Sequence, residues 1–276
     1  MTALSRFRVL GPTLVDKFED ALRPACLLVQ HIEPAYAEAI VHADDGGNSE
    51  EEDDGPAQLV AQLMELIQAM LPSPPLRALL KGRVRSVLQL LVPFMRVTEA
   101  QARVWRHDPN EFLAHEEDDR LRGCAARLSG EYLIGELLGR LKREAARAIA
   151  ALAGELMERG EGERAAGDAT AWKLTELGLL LFGVAAAEVS SVKALQRSEF
   201  ASLMPTAMSR ACRLCADGAA PDLLRARAFA MLRRLGDAVC ALAQSDLPAL
   251  LEAAAGAVEP QQPIVVRVSA CRAFCR

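Results

Sequence analysis

The sequence is poor in aromatic residues, which make up 4% of its 276 positions, although 51% of the positions are hydrophobic. β-Sandwiches and barrels draw on aromatic and β-branched side chains, whereas alanine, leucine, arginine and glutamate are strong helix formers. No segment alternates polar and apolar residues for long enough to predict a strand. The composition therefore argues against an all-β fold and favours a helical protein with a sizeable core.

Long hydrophobic runs are also lacking. The longest nearly continuous one, at 177–187, has 11 residues, against the ~20 that a membrane-spanning helix needs. The first residues contain no apolar stretch of the kind found in secretion signals, because Gly11 and Pro12 interrupt it. We therefore expect no membrane insertion.

Positive charge is not in excess, because the formal net charge is −5. A general nucleic-acid-binding protein would present a basic surface, so we expect no direct contact with nucleic acid. The seven cysteines are odd in number and spread over the whole length. Together with the absent signal peptide, this pattern predicts free thiols in a reducing, intracellular compartment.

Sequence motifs of catalysis are missing. The chain has no phosphate-binding glycine loop, no dinucleotide-binding glycine pattern, no nucleophile elbow and no zinc-protease helix. Cys212 and Cys215 have the spacing of metal ligands, but they lie in an apolar helical pattern, and all four histidines precede residue 116. We interpret both cysteines as buried structural thiols. We expect no enzymatic activity, no catalytic residue, no cofactor and no metal ion.

Apolar residues recur at steps of three and four along nearly the whole chain, which is the period of an amphipathic helix. A break near Gly139 separates two predicted helices, and a polar stretch at 159–170 is predicted to be a loop. The predicted helices cover 15–32, 56–70, 76–95, 119–138, 140–158, 172–189, 198–216, 223–242, 247–257 and 264 to the end, with a short segment at 109–113.

A weak repeat, arginine followed three positions later by alanine, occurs at Arg122, Arg227 and Arg267. The last two are 40 positions apart, which matches the ~40–47-residue period of HEAT repeats. We therefore predict an all-α fold, a HEAT-repeat α-solenoid of stacked antiparallel helix pairs that covers 1–276. An acidic loop insertion at about 42–56 and the polar loop at about 159–170 interrupt it. The helical pattern at both ends predicts an internal piece of a longer solenoid.

Several motifs occur in a recognisable order. Residues 94–98 read FMRVT, Trp105 follows, and 108–112 read DPNEF before an acidic cluster. The helix patterns LRGCAARL, AWKLTE and PIVVRVSACRA come next, at 121–128, 171–176 and 263–273. This ordered set resembles the karyopherin-β (importin-β) family of nuclear transport receptors, in particular the central part of its importin-9 subfamily.

The resemblance implies a function and a set of partners. Members of this family import basic cargo proteins, such as histones and ribosomal proteins, and release them when Ran GTPase binds in its GTP form. The main Ran contacts lie in N-terminal repeats that this sequence does not match. The resemblance also implies contacts with phenylalanine-glycine nucleoporins and shuttling between cytoplasm and nucleus. The alternative is a HEAT-repeat scaffold or adaptor in a cytosolic or nuclear assembly.

The candidate cargo-binding residues are acidic. Residues 44–54 contain seven acids and no base, and four consecutive acids occupy 116–119. Without the first seven, the formal charge would change from −5 to +2, so the negative charge is concentrated in one segment. Such runs attract basic partners by electrostatic steering. The candidates are Asp44, Asp45, Glu50, Glu51, Glu52, Asp53, Asp54, Glu116, Glu117, Asp118 and Asp119.

Each acidic run also has a simpler interpretation. The segment at 44–54 is equally compatible with a solvated linker. The run at 116–119 suits the first turn of a helix, where the macrodipole favours carboxylates. A calcium-binding loop starting at Asp44 is excluded, because the third and sixth positions are Gly46 and Ser49.

Two further groups are interpreted as structural. We predict that Trp105 and Trp172, the only tryptophans, pack between stacked helices rather than lie on a binding surface. We also predict that arginines such as Arg122, Arg225, Arg227 and Arg267 pair with Asp or Glu on neighbouring repeats and form a ladder.

Overall fold

A computed structural model describes residues 12–38, 55–117, 126–188, 199–236 and 247–274. These residues contain α-helices, one short 3-10 helix and no strand, as predicted. The α-helices are α1 (Pro12–Tyr36), α2 (Gly55–Met70), α3 (Pro74–Leu80), α4 (Val84–Leu91), α5 (Glu99–His107), α6 (Pro109–Glu117), α7 (Ala126–Leu141), α8 (Arg143–Ala165), α9 (Trp172–Ala187), α10 (Met204–Ala216), α11 (Asp222–Leu235), α12 (Leu247–Ala257) and α13 (Ile264–Phe274).

The chain forms two compact units. The first unit comprises Met1–Arg96 and Arg122–Ala148, and the second comprises Val97–Leu121 and Ile149–Arg276. The division falls within α8, and the second unit contains both tryptophans. Tryptophan fluorescence therefore reports on the second unit.

The first unit is centred on the packing of α2 against α7. The Gln68 side chain on α2 donates a hydrogen bond of 2.8 Å to the Ser129 carbonyl on α7. Beside it, the buried Arg127 donates one of 2.8 Å to the Met95 carbonyl. Gly130 lies directly against the Met95 side chain. A side chain on residue 130 would occupy the space that the Met95 thioether fills.

The segment 76–95 is not the single helix that its periodicity predicts. It consists of α3, α4 and a 3-10 helix at Val92–Met95. Gly82 has φ +78°, a left-handed conformation that ends α3 and that glycine adopts readily. Pro93 lacks the amide hydrogen that a continuing α-helix would use. These two residues divide a continuous apolar pattern.

The predicted break near Gly139 is displaced, because the two helices are separated at Lys142. Gly139 lies inside α7, and the Lys142 amide still bonds to the Leu138 carbonyl at 3.1 Å. The turn is made by Lys142, which has φ +43°. The predicted helix start at Asp119 lies outside the described residues.

Half of the predicted polar loop at 159–170 is helical, because α8 continues to Ala165. Arg159 and Glu163 form an i,i+4 ion pair of 3.2 Å along it. Gly160 is buried, since α8 approaches α9 closely there. A Cβ atom on residue 160 would lie 2.7 Å from the Thr175 nitrogen and 2.9 Å from the Ala171 carbonyl oxygen. Gly160, within the stretch predicted to be a loop, is needed for this close helix packing.

In the second unit, helices α9, α11 and α13 pack side by side and form one layer, which we call the α9–α11–α13 layer. Helix α10 packs against α11 and α12, and α12 packs against α13. The described helices from α9 to α13 thus alternate between two layers, as in stacked HEAT-type helix pairs. α9 is buried from Trp172 through Ala186. It therefore lacks the polar face of a surface helix.

Candidate functional site

Most of the predicted cargo-binding acids lie outside the described residues, namely the seven at 44–54 together with Asp118 and Asp119. Glu116 and Glu117 are the last two residues of α6. Their predicted position at a helix start is therefore wrong. The helix begins earlier, because the Asp108 carboxylate accepts a 2.9 Å hydrogen bond from the Asn110 amide and Pro109 occupies the first helical position.

Helices α5 and α6 form a hairpin, which we call the α5–α6 hairpin. Thr98 starts it with a capping box, in which its hydroxyl accepts from the Gln101 amide at 3.1 Å and the Gln101 side chain accepts from the Thr98 amide. Trp105 meets the Phe112 ring edge-on at 5.3 Å between centroids and the His115 ring at 5.2 Å. The aromatic residues join the two helices, and the last of them directly precedes Glu116.

Helix α13 packs against both helices of the hairpin, and three further contacts connect the hairpin to the α9–α11–α13 layer. The Lys173 ammonium on α9 forms a 2.6 Å ion pair with Glu99. The Arg227 guanidinium on α11 lies 5.6 Å from the centroid of the Phe112 ring. A longer ion pair of 3.5 Å joins Arg106 to Asp222 at the start of α11. All three use a charged side chain.

Arg227 also forms a deeply buried ion pair. Its Nε donates to the Glu176 carboxylate on α9 at 2.7 Å, and both side chains are 1% exposed. This pair confirms the predicted ladder at Arg227. Arg225 bonds instead to the Gln262 amide oxygen at 2.9 Å. No acceptor among the described residues reaches the buried Nε of Arg267, and Arg122 lies outside them.

Local sequence patterns provide little indication of α5 or of the acidic partners of the buried cations. A capping signature at Thr98 was present, but the apolar pattern of α5 is short. Both tryptophans are buried, which confirms that they pack inside the protein. No helix among the described residues is long and apolar enough to cross a membrane.

Comparison with known proteins places this architecture in a family. The family model of importin-9 central HEAT repeats matches residues 80–276, most of the chain. The chain belongs to this family. The predicted all-α HEAT-repeat class and the karyopherin-β resemblance are thereby confirmed.

A relative from this family is importin-9 of Drosophila melanogaster, which is 22% identical over 173 residues. The alignment covers 60% of this chain and 17% of the relative. The chain thus spans less than a fifth of the relative's length. The family match contains the α5–α6 hairpin and the run at 116–119, whereas the run at 44–54 precedes it.

The cysteine pair of this importin-9 family member is buried on α10, as predicted for structural thiols. The pKa of the Cys215 thiol is raised well above its usual range, first by burial and then by the neighbouring Cys212, while Arg225 opposes the shift. The described residues contain no cluster of side chains that could hold a metal ion.

We predict that Cys215 reacts slowly with iodoacetamide at pH 8 in the folded protein, at least ~10-fold more slowly than the exposed Cys271. Only the thiolate attacks, and a raised pKa keeps the thiolate fraction of Cys215 low. Peptide mass spectrometry over a time course measures both rates. In concentrated urea the two rates should converge, and equal rates in the folded protein would contradict the prediction.

Proposed function

We propose that this chain is the cargo-binding central segment of a nuclear import receptor. The match of residues 80–276 to importin-9 central HEAT repeats carries the proposal. The two-layer packing of the second unit supports it, because stacked helix pairs present long surfaces to other proteins.

The cargo in this proposal is basic protein, namely histones and ribosomal proteins. The charge distribution supports this choice, because the seven acids at 44–54 account for more than the whole formal charge of −5. The runs at 44–54 and 116–119 attract such cargo and shield its positive charge from nucleic acid, with which the receptor makes no direct contact.

The remaining steps of transport follow from the same proposal. Cargo is released when Ran in its GTP form binds, mainly through repeats that the chain does not match. Phenylalanine-glycine nucleoporins allow passage through the pore, and the protein shuttles between cytoplasm and nucleus.

The direct test is a titration of the full 276-residue chain with a core histone dimer at two salt concentrations. One variant neutralises the seven acids at 44–54, and a second neutralises 116–119, with Asn for Asp and Gln for Glu. We expect each variant to bind ~10-fold or more weakly at low salt and to show a smaller salt dependence, because steering charges are lost.

A matched control distinguishes the effect of the acidic runs on binding from the effect of overall net charge. It neutralises the same number of exposed acids as the first variant, at scattered positions: Asp16, Asp20, Glu65, Glu111, Glu158, Glu252 and Glu259. Equal weakening in the control would show that net charge alone matters. If the folded chain does not bind histones, the cargo role fails for this segment and the scaffold alternative is favoured.

A further inference from the structure

We propose that one end of the first unit is a docking surface for an acidic segment of another protein. The surface, which we call the basic end, is formed by the segments 77–85 and 140–147. Together these segments contain eight basic residues and a single acid, Glu144. The proposal does not rest on the proposed function, because the cargo proposed there is itself basic.

A hydrogen bond joins the two segments of the basic end. The Gly82 amide donates to the Glu144 carboxylate at 2.6 Å. Gly82 lies in the turn between α3 and α4, and Glu144 is the second residue of α8, directly after the turn at Lys142. The two residues are 62 positions apart in the sequence. The fold of the first unit therefore brings two basic turns together into one surface.

The basic side chains are accessible to a partner. Arg77 is half-buried and donates to the Leu71 carbonyl at 3.1 Å. The other seven are exposed, five of them arginines. Arginine binds a carboxylate through two parallel hydrogen bonds, which suits recognition of Asp and Glu side chains. The exposed residues are Lys81, Arg83, Arg85, Arg140, Lys142, Arg143 and Arg147.

The acids at this end are fewer than the bases. Glu19 on α1 pairs with Arg83 at 3.0 Å, and Glu136 pairs with Arg140 at 3.5 Å. Glu144 accepts from the Gly82 amide. Three acids thus face seven exposed bases, so the basic end carries an excess of positive charge although the whole chain has a net charge of −5.

Two features favour an acidic polypeptide over a nucleic acid as the partner. The segments 77–85 and 140–147 contain no aromatic residue on which bases could stack. Exposed acids on α1, namely Asp16, Glu19 and Asp20, border the surface. A long phosphate backbone that runs past the basic end would be repelled by these acids, whereas a short acidic segment can bind between them.

The chain's own acidic run at 44–54 is the less favourable occupant. Glu19 lies beside the basic end, while Tyr36, which precedes the run, lies at the other end of α1. At 1.5 Å per residue the two positions are ~25 Å apart along the helix. The run would have to extend back over most of this distance, at a large cost in conformational entropy.

The test is a titration of the full chain with a fluorescein-labelled oligoglutamate peptide, followed by fluorescence anisotropy at two salt concentrations. The variant Lys81→Gln/Arg85→Gln/Arg143→Gln/Arg147→Gln removes four charges from the basic end. Because an exposed charge pair is worth a factor of about two in affinity, we expect binding to weaken ~10-fold or more. Its salt dependence should also decrease.

A matched control removes four exposed positive charges from the second unit: Arg103→Gln/Arg159→Gln/Arg164→Gln/Arg213→Gln. The last three of these arginines pair with Glu163, Asp217 and Glu161, so that part of the surface has both signs of charge. We expect the control to stay within ~2-fold of the wild-type affinity, because distant exposed charges are screened.

A second variant adds charge and leaves the basic residues in place. Ser86 is exposed in the first turn of α4, next to Arg85. Ser86→Asp should remain folded, because an acid suits the first turn of a helix, and it should weaken peptide binding ~3-fold through repulsion of the peptide. Asn110→Asp makes the same change of charge in the first turn of α6 and should leave the affinity unchanged.

Four outcomes would overturn the proposal. The wild-type chain does not bind the peptide, or the quadruple variant and its control weaken binding equally. An oligothymidylate of the same charge binds the basic end as tightly as the peptide, which would assign the surface to nucleic acid. The peptide binds only when the seven acids at 44–54 are neutralised, which would identify the chain's own run as the occupant. Histone binding is measured separately, so either proposal can fail while the other stands.

Discussion

Replacing Glu176 by leucine is expected to destabilise the second unit by about 3–5 kcal/mol, the range measured when one partner of a buried ion pair is removed. Arg227 would lose a carboxylate at 2.7 Å, and at 1% exposure it would gain no water in exchange. Urea denaturation followed by tryptophan fluorescence measures the loss, because both tryptophans belong to the second unit.

The double variant Glu176→Leu/Arg227→Met shows whether the loss comes from the uncompensated charge. Replacing both members by apolar side chains is often neutral or stabilising, so most of the lost stability should return. Glu163→Gln is the matched control, because Glu163 and Arg159 form a largely exposed pair on α8. That change should cost less than about 1 kcal/mol. If Glu176→Leu were as stable as Glu163→Gln, the prediction would be contradicted.

Gly160→Ala is expected to destabilise the second unit by about 2 kcal/mol, within the range for overpacking a well-packed site. Helix propensity alone predicts the opposite, a gain of about 1 kcal/mol from glycine to alanine. The steric effect prevails because the new methyl would meet backbone atoms of Ala171 and Thr175, which cannot rotate away as a side chain could. The same urea titration, followed by tryptophan fluorescence, measures the change in the free energy of unfolding.

Gly162→Ala provides the comparison within the same helix. No atom lies within 4 Å of a Cβ at position 162. The propensity gain should therefore appear there in full, as a stabilisation of up to about 1 kcal/mol. If both alanine variants stabilised the protein, the close approach of α8 and α9 at Gly160 would be disproved.

Helix positions were predictable where local signals agreed. The apolar pattern predicts α12 at 247–257, as observed, and α9 at 172–189 against the observed Trp172–Ala187. A helix needs only its own apolar period and its own end signals, which lie within a few residues of one another.

The misplaced boundaries share a cause. The sequence predicts a break near Gly139 and a loop over the polar stretch at 159–170, which contains Gly160. In the structure Gly139 lies inside α7, and Gly160 is required where α8 meets α9. Conversely, Lys142 adopts a positive φ that nothing in its identity predicts. The role of a glycine depends on what packs against it, which the neighbouring residues do not determine.

The candidate site likewise has features that the sequence predicts and features that only the folded structure reveals. The sequence by itself determined the helical class, the concentration of acids at 44–54 and 116–119, and the motif order that resembles karyopherin-β proteins, because these are properties of composition and short-range pattern. Only the tertiary structure decided that Glu116 and Glu117 end a helix and that Glu176 is the partner of Arg227. Glu176 and Arg227 are 51 positions apart in the sequence, and only the packing of α9 against α11 brings them together.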